Sequence, residues 1–204
     1  MAYQVTQLCD IYHPDYTWMV ETWRKWRLTY QGGDAYIDQY LRRFKREKAS
    51  DWAERRCMTY SPAFAKEAIN EVKNAVFQRL GDVSRSGGSL AYRRAISGAL
   101  GGVDRKRSTM ASFLGKKVLP ELLSMRQVGV WVDSPQISNG ATQADVQNKH
   151  PYLYVYPVES IRSWQTDDED NLTALLLREC SYMSDPETSL PMTGEVESFR
   201  YAWI

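Results

Sequence analysis

At Val128 the spacing of apolar residues changes, and that change limits what the chain can fold into. Before it, apolar side chains recur three and four residues apart, the period of a helix buried along one face. In RQVGVWVDSP (residues 126–135), Val128, Val130 and Val132 alternate with Gly129 and Trp131, the period of a strand. Asp133-Ser134-Pro135 closes the run, because proline has no N–H to give a ladder. Helices first and strands afterwards make an α+β chain. The expected division is a helical part over 1–127 and a mostly antiparallel β-rich part over 128–204. Within the strand the valines share one side and Gly129 and Trp131 the other. One side is expected to be core and the other a contact surface, with Trp131 as the contact candidate.

The helical part has clear punctuation. His13-Pro14-Asp15 reads as a helix start, followed by Met19, Trp23, Trp26 and Tyr30 on one face. Gly32-Gly33 ends that helix, and Asp34 can cap a second one whose stripe is Ile37, Tyr40, Leu41 and Phe44. The back of this second helix is basic (RRFKREK, Arg42 to Lys48), and Arg55-Arg56 follow. Ser61-Pro62 predicts the next start, with Ala65, Ile69, Val72, Val76 and Leu80 as its stripe and Gly81 as its stop. Residues 81–109 are rich in Gly, Ser and Arg around a short helical candidate, Leu90–Leu100. Phe113, Leu114, Val118, Leu119, Leu122 and Leu123 then form a helical stripe that Pro120 kinks or divides.

Beyond Val128, residues 136–149 are a polar, turn-rich loop. PYLYVYPVESIRSW is a second alternating strand, broken at Pro157. TDDED is an acidic turn leading into LTALLLRECSYM as a third strand. Residues 183–194 form a polar loop, and VESFRYAWI alternates Phe199, Tyr201 and Trp203 up to the last residue. A strand that keeps its pattern to Ile204 leads us to expect a longer protein continuing past it.

The 204 residues are 43% hydrophobic and 25% charged with a formal net charge of +1, so any electrostatic role must reside in local patches. No apolar run approaches the roughly 20 residues a membrane span needs, so no membrane role is expected. The start, MAYQVTQLCDIYHPDY, lacks a basic n-region and an apolar h-region. Three widely spaced cysteines, Cys9, Cys57 and Cys180, point to reduced thiols in a cytosolic setting. Seven Trp and 13 Tyr are a heavy aromatic load, suited to core packing or to subunit contacts.

Catalytic constellations do not emerge. GALGGVDRKRST places Val103 at the second glycine position of a phosphate loop and Asp104 at its lysine position. The two histidines, His13 and His150, are remote in sequence, and no cysteine pair has zinc spacing. No metal, cofactor or catalytic residue is therefore expected. Asp167, Asp168, Glu169 and Asp170 could hold Mg²⁺ in a metal-dependent nucleic-acid enzyme, yet neighbouring strand residues alternate faces and their carboxylates converge poorly. The basic stretches at 42–56 and 85–107 remain as solvated faces or as surfaces for partners, DNA among them.

Several blocks in order resemble the N-terminal half of the portal proteins of tailed bacteriophages. They are DAYIDQYLRRF, the run DWAERRCMTYSPAFAKEAINEVKNAVFQRLGDVSRSGGS, SGALGGVDRKRSTMASFLGKKVLPELL, RQVGVWVDSP and HPYLYVYPVESIRSW, together covering roughly residues 30 to 180. A strand ending in VDSP, a polar loop and an aromatic strand ending in Ile-x-x-Trp stand in that order in both. The resemblance implies a structural, non-enzymatic protein of the virion, assembled in the host cytoplasm as a dodecameric ring at one capsid vertex. Terminase drives double-stranded DNA in through the ring, and the DNA later leaves into the tail past a head–tail adaptor protein. These residues would form the wing, with stem and clip beyond residue 204. DNA contact in the family lies mainly in stem and channel loops, so no DNA-binding residue is assigned. Arg42, Arg43, Arg46, Arg55, Arg56 and Trp131 are the candidates for contact with neighbouring subunits or the major capsid protein. A small monomeric adaptor with an aromatic binding surface is the remaining alternative beside the metal-dependent enzyme.

Overall fold

The computed structural model describes residues 8–78, 87–135 and 149–204. The chain is α+β, with its helices in the N-terminal half and antiparallel sheet after them. The helices are α1 (Pro14–Gln31), α2 (Gly33–Tyr40), α3 (Ala49–Met58), α4 (Phe64–Gln78), α5 (Leu90–Ile96), α6 (Met110–Phe113) and α7 (Leu119–Met125), with a π-turn, Leu114–Val118, joining the last two. The strands are β1 (Val128–Asp133), β2 (Tyr152–Pro157), β3 (Ile161–Thr166), β4 (Leu172–Ser184) and β5 (Pro191–Trp203). Among the described residues, no helix is long and apolar enough to cross a membrane. Contacts divide the chain into two compact units, Met1–Trp23 with Tyr156–Ile204, and Arg24–Val155. This partition does not follow the helix-to-strand change at residue 128.

The first unit is built on a three-stranded antiparallel sheet in the order β3-β4-β5. Pro157 ends β2 as expected, and a 3₁₀ turn, Val158–Ser160, leads into β3. Ile161 pairs with Leu177 but Ser163 pairs with Leu176, so Arg162 is an extra residue on β3, a bulge. Leu176 and Leu177 are both buried, with Ala174, Val158, Tyr16 and Trp23. Pro14 opens α1 as predicted, and His13 just before it does three jobs. Its Nδ1 accepts the Asp15 N–H at 3.2 Å, its own N–H donates to the Arg162 carbonyl at 2.9 Å, and its ring stacks on Trp164 at 3.9 Å. The Tyr16 hydroxyl donates to the Glu159 carbonyl at 3.0 Å.

β4 and β5 are each 13 residues long, and β5 begins earlier than expected, at Pro191, so the predicted loop of 183–194 shrinks to a turn after Ser184. Asp185 organises that turn: its Oδ1 accepts the N–H groups of Glu187 and Thr188, at 3.0 and 2.7 Å. β3 pairs with β4 only as far as Leu177, whereas β4 and β5 stay paired from Ala174–Trp203 out to Ser184–Pro191. The distal seven residues of β4 therefore form a two-stranded arm of roughly 20 Å.

The second unit packs helices around Phe113 and Met125, which are 1% and 0% exposed. Pro120 sits in the first turn of α7 and cannot donate a helical N–H. The predicted division of the helix takes the form of a π-turn just upstream, a wider loop that absorbs the missing bond. Gly115 in that turn lies against α4, where a Cβ would stand 2.8 Å from the Phe77 ring. Arg27 of α1 grips Glu121 of α7 through two 2.7 Å hydrogen bonds. Trp26, Tyr30, Ala65, Ile69 and Leu123 line a groove of about 310 Å³ beside that pair.

Several local expectations are corrected. Asp34 lies in the first turn of α2, and Gly32, with φ +64°, holds the cap position. The reason is close packing: the Gly33 N–H donates to the Ser61 carbonyl at 2.8 Å, and a Cβ on Gly32 would stand 2.8 Å from the same oxygen. Ser61 thus belongs to an extended segment running past the two glycines, and α4 starts only at Phe64. No residue of α4 is fully buried and Val72 is 50% exposed, so its stripe is a half-covered face and truncating Val72 falls below core cost. Leu80, Gly81 and the 136–148 part of the polar loop lie outside the described residues. On β1 the expected contact side is reversed: Val130 and Val132 are exposed, at 45% and 63%, while Trp131 is half-buried.

Candidate interaction surface

The second predicted helix ends at Tyr40, so RRFKREK is not the back of a helix but an irregular segment between α2 and α3. Glu47 folds it. The Glu47 carboxylate accepts the Phe44 N–H at 3.0 Å and both Nε and Nη2 of Arg55, at 2.7 and 2.8 Å. Arg55 also donates to the Arg42 carbonyl at 2.9 Å, and its guanidinium lies 4.4 Å from the Phe44 ring centre and 4.7 Å from that of Trp52. A planar cation between two rings with a bidentate carboxylate is a geometry only arginine supplies. Hydrogen bonding from Arg55, more than any other effect, holds the Glu47 carboxyl at about 2.

The candidate residues therefore separate into two kinds. Arg55 is half-buried and spent on holding the segment, and the Arg43 Nε donates to the Glu47 carbonyl at 2.9 Å. Arg56 pairs with Asp38 of α2, its Nε 2.9 Å away, while remaining half exposed. The side chains of Arg42 and Arg46 are exposed, with those of Lys45 and Lys48. Trp131 lies instead on β1. Exposed beside the basic segment in sequence are Phe44, Met58, Tyr60 and Phe64, and Tyr60 is 81% exposed. Nothing in the spacing marks these four as a group, although three of them fall within seven residues, 58–64. The result is a surface that is basic and apolar together.

Replacing Arg55 should loosen this segment without unfolding the protein. Trypsin is expected to cut after Arg42 or Arg46 faster in Arg55→Ala, and Arg55→Lys should not restore resistance, because an ammonium cannot make the bidentate pair. Equal digestion of all three proteins would tell against the clamp.

The glycine-rich block has a structural centre where a phosphate loop would have its lysine. Asp104, 5% exposed, accepts the Lys106 and Ser108 N–H groups on Oδ1, at 2.9 and 3.2 Å, and the Ser108 hydroxyl at 2.7 Å and the Lys117 ammonium on Oδ2. Around it Leu100, Arg105 and Arg107 adopt positive φ of 52°, 58° and 61°, conformations that side chains disfavour and that these hydrogen bonds hold in place. The loop is tied to the first two strands. Leu153 N–H donates to Val103 C=O at 2.7 Å, His150 Nε2 lies 3.0 Å from Gly102 C=O, and the Arg105 guanidinium lies 3.5 Å from the Tyr152 ring centre. The Tyr152 hydroxyl in turn donates to Asp133 at 3.1 Å. Its phenol is held above the ordinary range, first by hydrogen bonding with Tyr154, then by burial and by Asp133.

The acidic turn behaves as a turn. Asp167 Oδ1 accepts the Glu169 and Asn171 N–H groups, at 2.9 and 2.8 Å, and Oδ2 accepts from the Asn171 amide at 3.1 Å. These bonds, the Asn171 amide first, hold its carboxyl below the usual range. Among the described residues no group of three or more His, Cys, Asp or Glu side chains could hold a metal ion. Compared with known proteins, the chain matches no family model and no curated protein sequence.

Proposed function

We propose that this chain is the wing-containing N-terminal half of a tailed-bacteriophage portal protein, a structural component of the virion rather than an enzyme. One observation carries the reading: blocks that resemble that family, far apart in sequence, pack into one node. His150 and Leu153 of HPYLYVYP bond to Gly102 and Val103 of SGALGGVDRKRST, and Tyr152 bonds to Asp133 of RQVGVWVDSP. Residues that meet in a shared core explain why such blocks would occur together and in order. The α+β order of elements agrees with the wing that the resemblance implies.

In this role the protein forms a ring at a capsid vertex, contacts the major capsid protein, and serves terminase during packaging and the head–tail adaptor afterwards. Duplex DNA passes through a channel built largely from later parts of the protein. Electron microscopy of the full-length gene product tests it. A ring with a central channel is expected, and a monodisperse monomer at high concentration would overturn the reading.

A further inference from the structure

We propose that the β4–β5 arm of one copy of this chain docks on the basic, apolar surface around residues 42–64 of the next copy, a head-to-tail contact. The two surfaces are complementary in charge and alike in exposed apolar area. Between residues 180 and 197 the arm carries four acids and no Lys or Arg; Glu197 pairs with Arg178 at the base of the arm, leaving Asp185, Glu187 and Glu195 as its outer charges. Tyr182, Met183, Leu190, Met192 and Val196 are exposed along it, an unusual load for a two-stranded ribbon. Residues 41–64 carry seven Lys and Arg against three Asp and Glu, and Phe44, Met58, Tyr60 and Phe64 are exposed there.

Each surface has what the other lacks. Apolar area on both sides supplies the driving force, and opposite charge sets orientation and rejects like against like. Because the surfaces differ, the contact is heterologous: every copy presents one of each, and association continues until a ring closes. The proposal rests on the ring reading only in requiring that copies associate. It adds which faces meet.

The test uses the full chain in four forms: wild type, an arm variant (Glu187→Lys with Glu195→Lys), a surface variant (Arg42→Glu with Arg46→Glu), and the chain with all four changes. All four positions are exposed, so melting temperatures should be unchanged. By analytical ultracentrifugation, each two-site variant alone should self-associate about a hundredfold more weakly than wild type. An equimolar mixture of the two should regain association, because the intact arm meets the intact surface and the reversed arm meets the reversed surface, so the two variants alternate along the assembly. The four-site chain, with both charges reversed, should associate again. If both variants assemble like wild type, the docking is wrong while the ring reading stands. If wild type itself never associates, both fall. Loss of duplex-DNA binding by the surface variant with its self-association intact would assign that surface to nucleic acid and overturn the docking.

Discussion

Asp104→Ala should lower stability by about 3 kcal/mol, measured by denaturant unfolding, although the residue lies in a loop. The substitution strands two backbone N–H groups and the Ser108 hydroxyl in a buried place, and it frees three left-handed residues from the hydrogen bonds that hold them. Lys117→Met should cost less, since the Lys117 side chain is 35% exposed and the carboxylate keeps its other donors. The effect also has a pH signature. Burial works to raise the Asp104 carboxyl, but hydrogen bonds from Lys117, Ser108 and the Lys106 N–H overcome it and hold it at about 2. The folded value lies below the unfolded one, so the contribution is fully present above about pH 4 and disappears as pH falls towards 2. Its size is about 2 kcal/mol by linkage. The carboxyls of Glu47, Asp167 and Asp185 are shifted in the same direction, so Asp104 is one of several sources of acid lability. Asp104→Asn should flatten the stability profile between about pH 4 and 2, and an unchanged slope there would rule out Asp104 as a source.

Gly102→Ala is the second large effect, expected at about 3 kcal/mol or more. At φ +71° an added Cβ would stand 2.5 Å from the Ser108 carbonyl oxygen and 2.6 Å from its nitrogen, both backbone atoms that cannot rotate aside. The Gly102 carbonyl also carries the His150 contact, so the shift would reach the strand-bearing side of the node. Gly33→Ala separates strain from collision. Its φ is +74°, yet a Cβ there meets nothing within 4 Å, so only the left-handed penalty of about 1–2 kcal/mol applies. Calorimetry should place the two variants several degrees apart; equal melting points would mean that close packing does not fix the Gly102 loop.

Element types were legible along the chain because they depend on period and punctuation. Pro14 begins a helix, Val128 begins a strand, and Pro157 ends one, each through a local constraint that distant residues did not override. The failures have a common cause in contacts made across the sequence. Ser61 looks like a cap, but its carbonyl is taken by Gly33. Phe44 looks like the end of an apolar stripe, but Glu47 and Arg55 close a turn around it. Of the surface candidates, the arginines were visible as a charged run, but not which of them would be consumed in folding. That distinction needed the Glu47 clamp, built from residues 44, 47, 52 and 55 in two different elements. The side of β1 was misread because alternation fixes which residues share a face and says nothing about which face is covered.

The two units differ in how their chain is threaded. Every residue of the unit spanning Arg24–Val155 is in hand once Val155 has been made, so it can close while the ribosome is still at work. The other unit takes its first piece from residues before Arg24 and its sheet from residues after Val155. Its N-terminal portion, including Tyr16 and Trp23, must wait through the synthesis of the whole intervening segment before the rest of its unit exists, Glu159 with its carbonyl for Tyr16 among it. The arm formed by β4 and β5 is thus among the last parts of this stretch to be made, and contacts through it follow the folding of everything between.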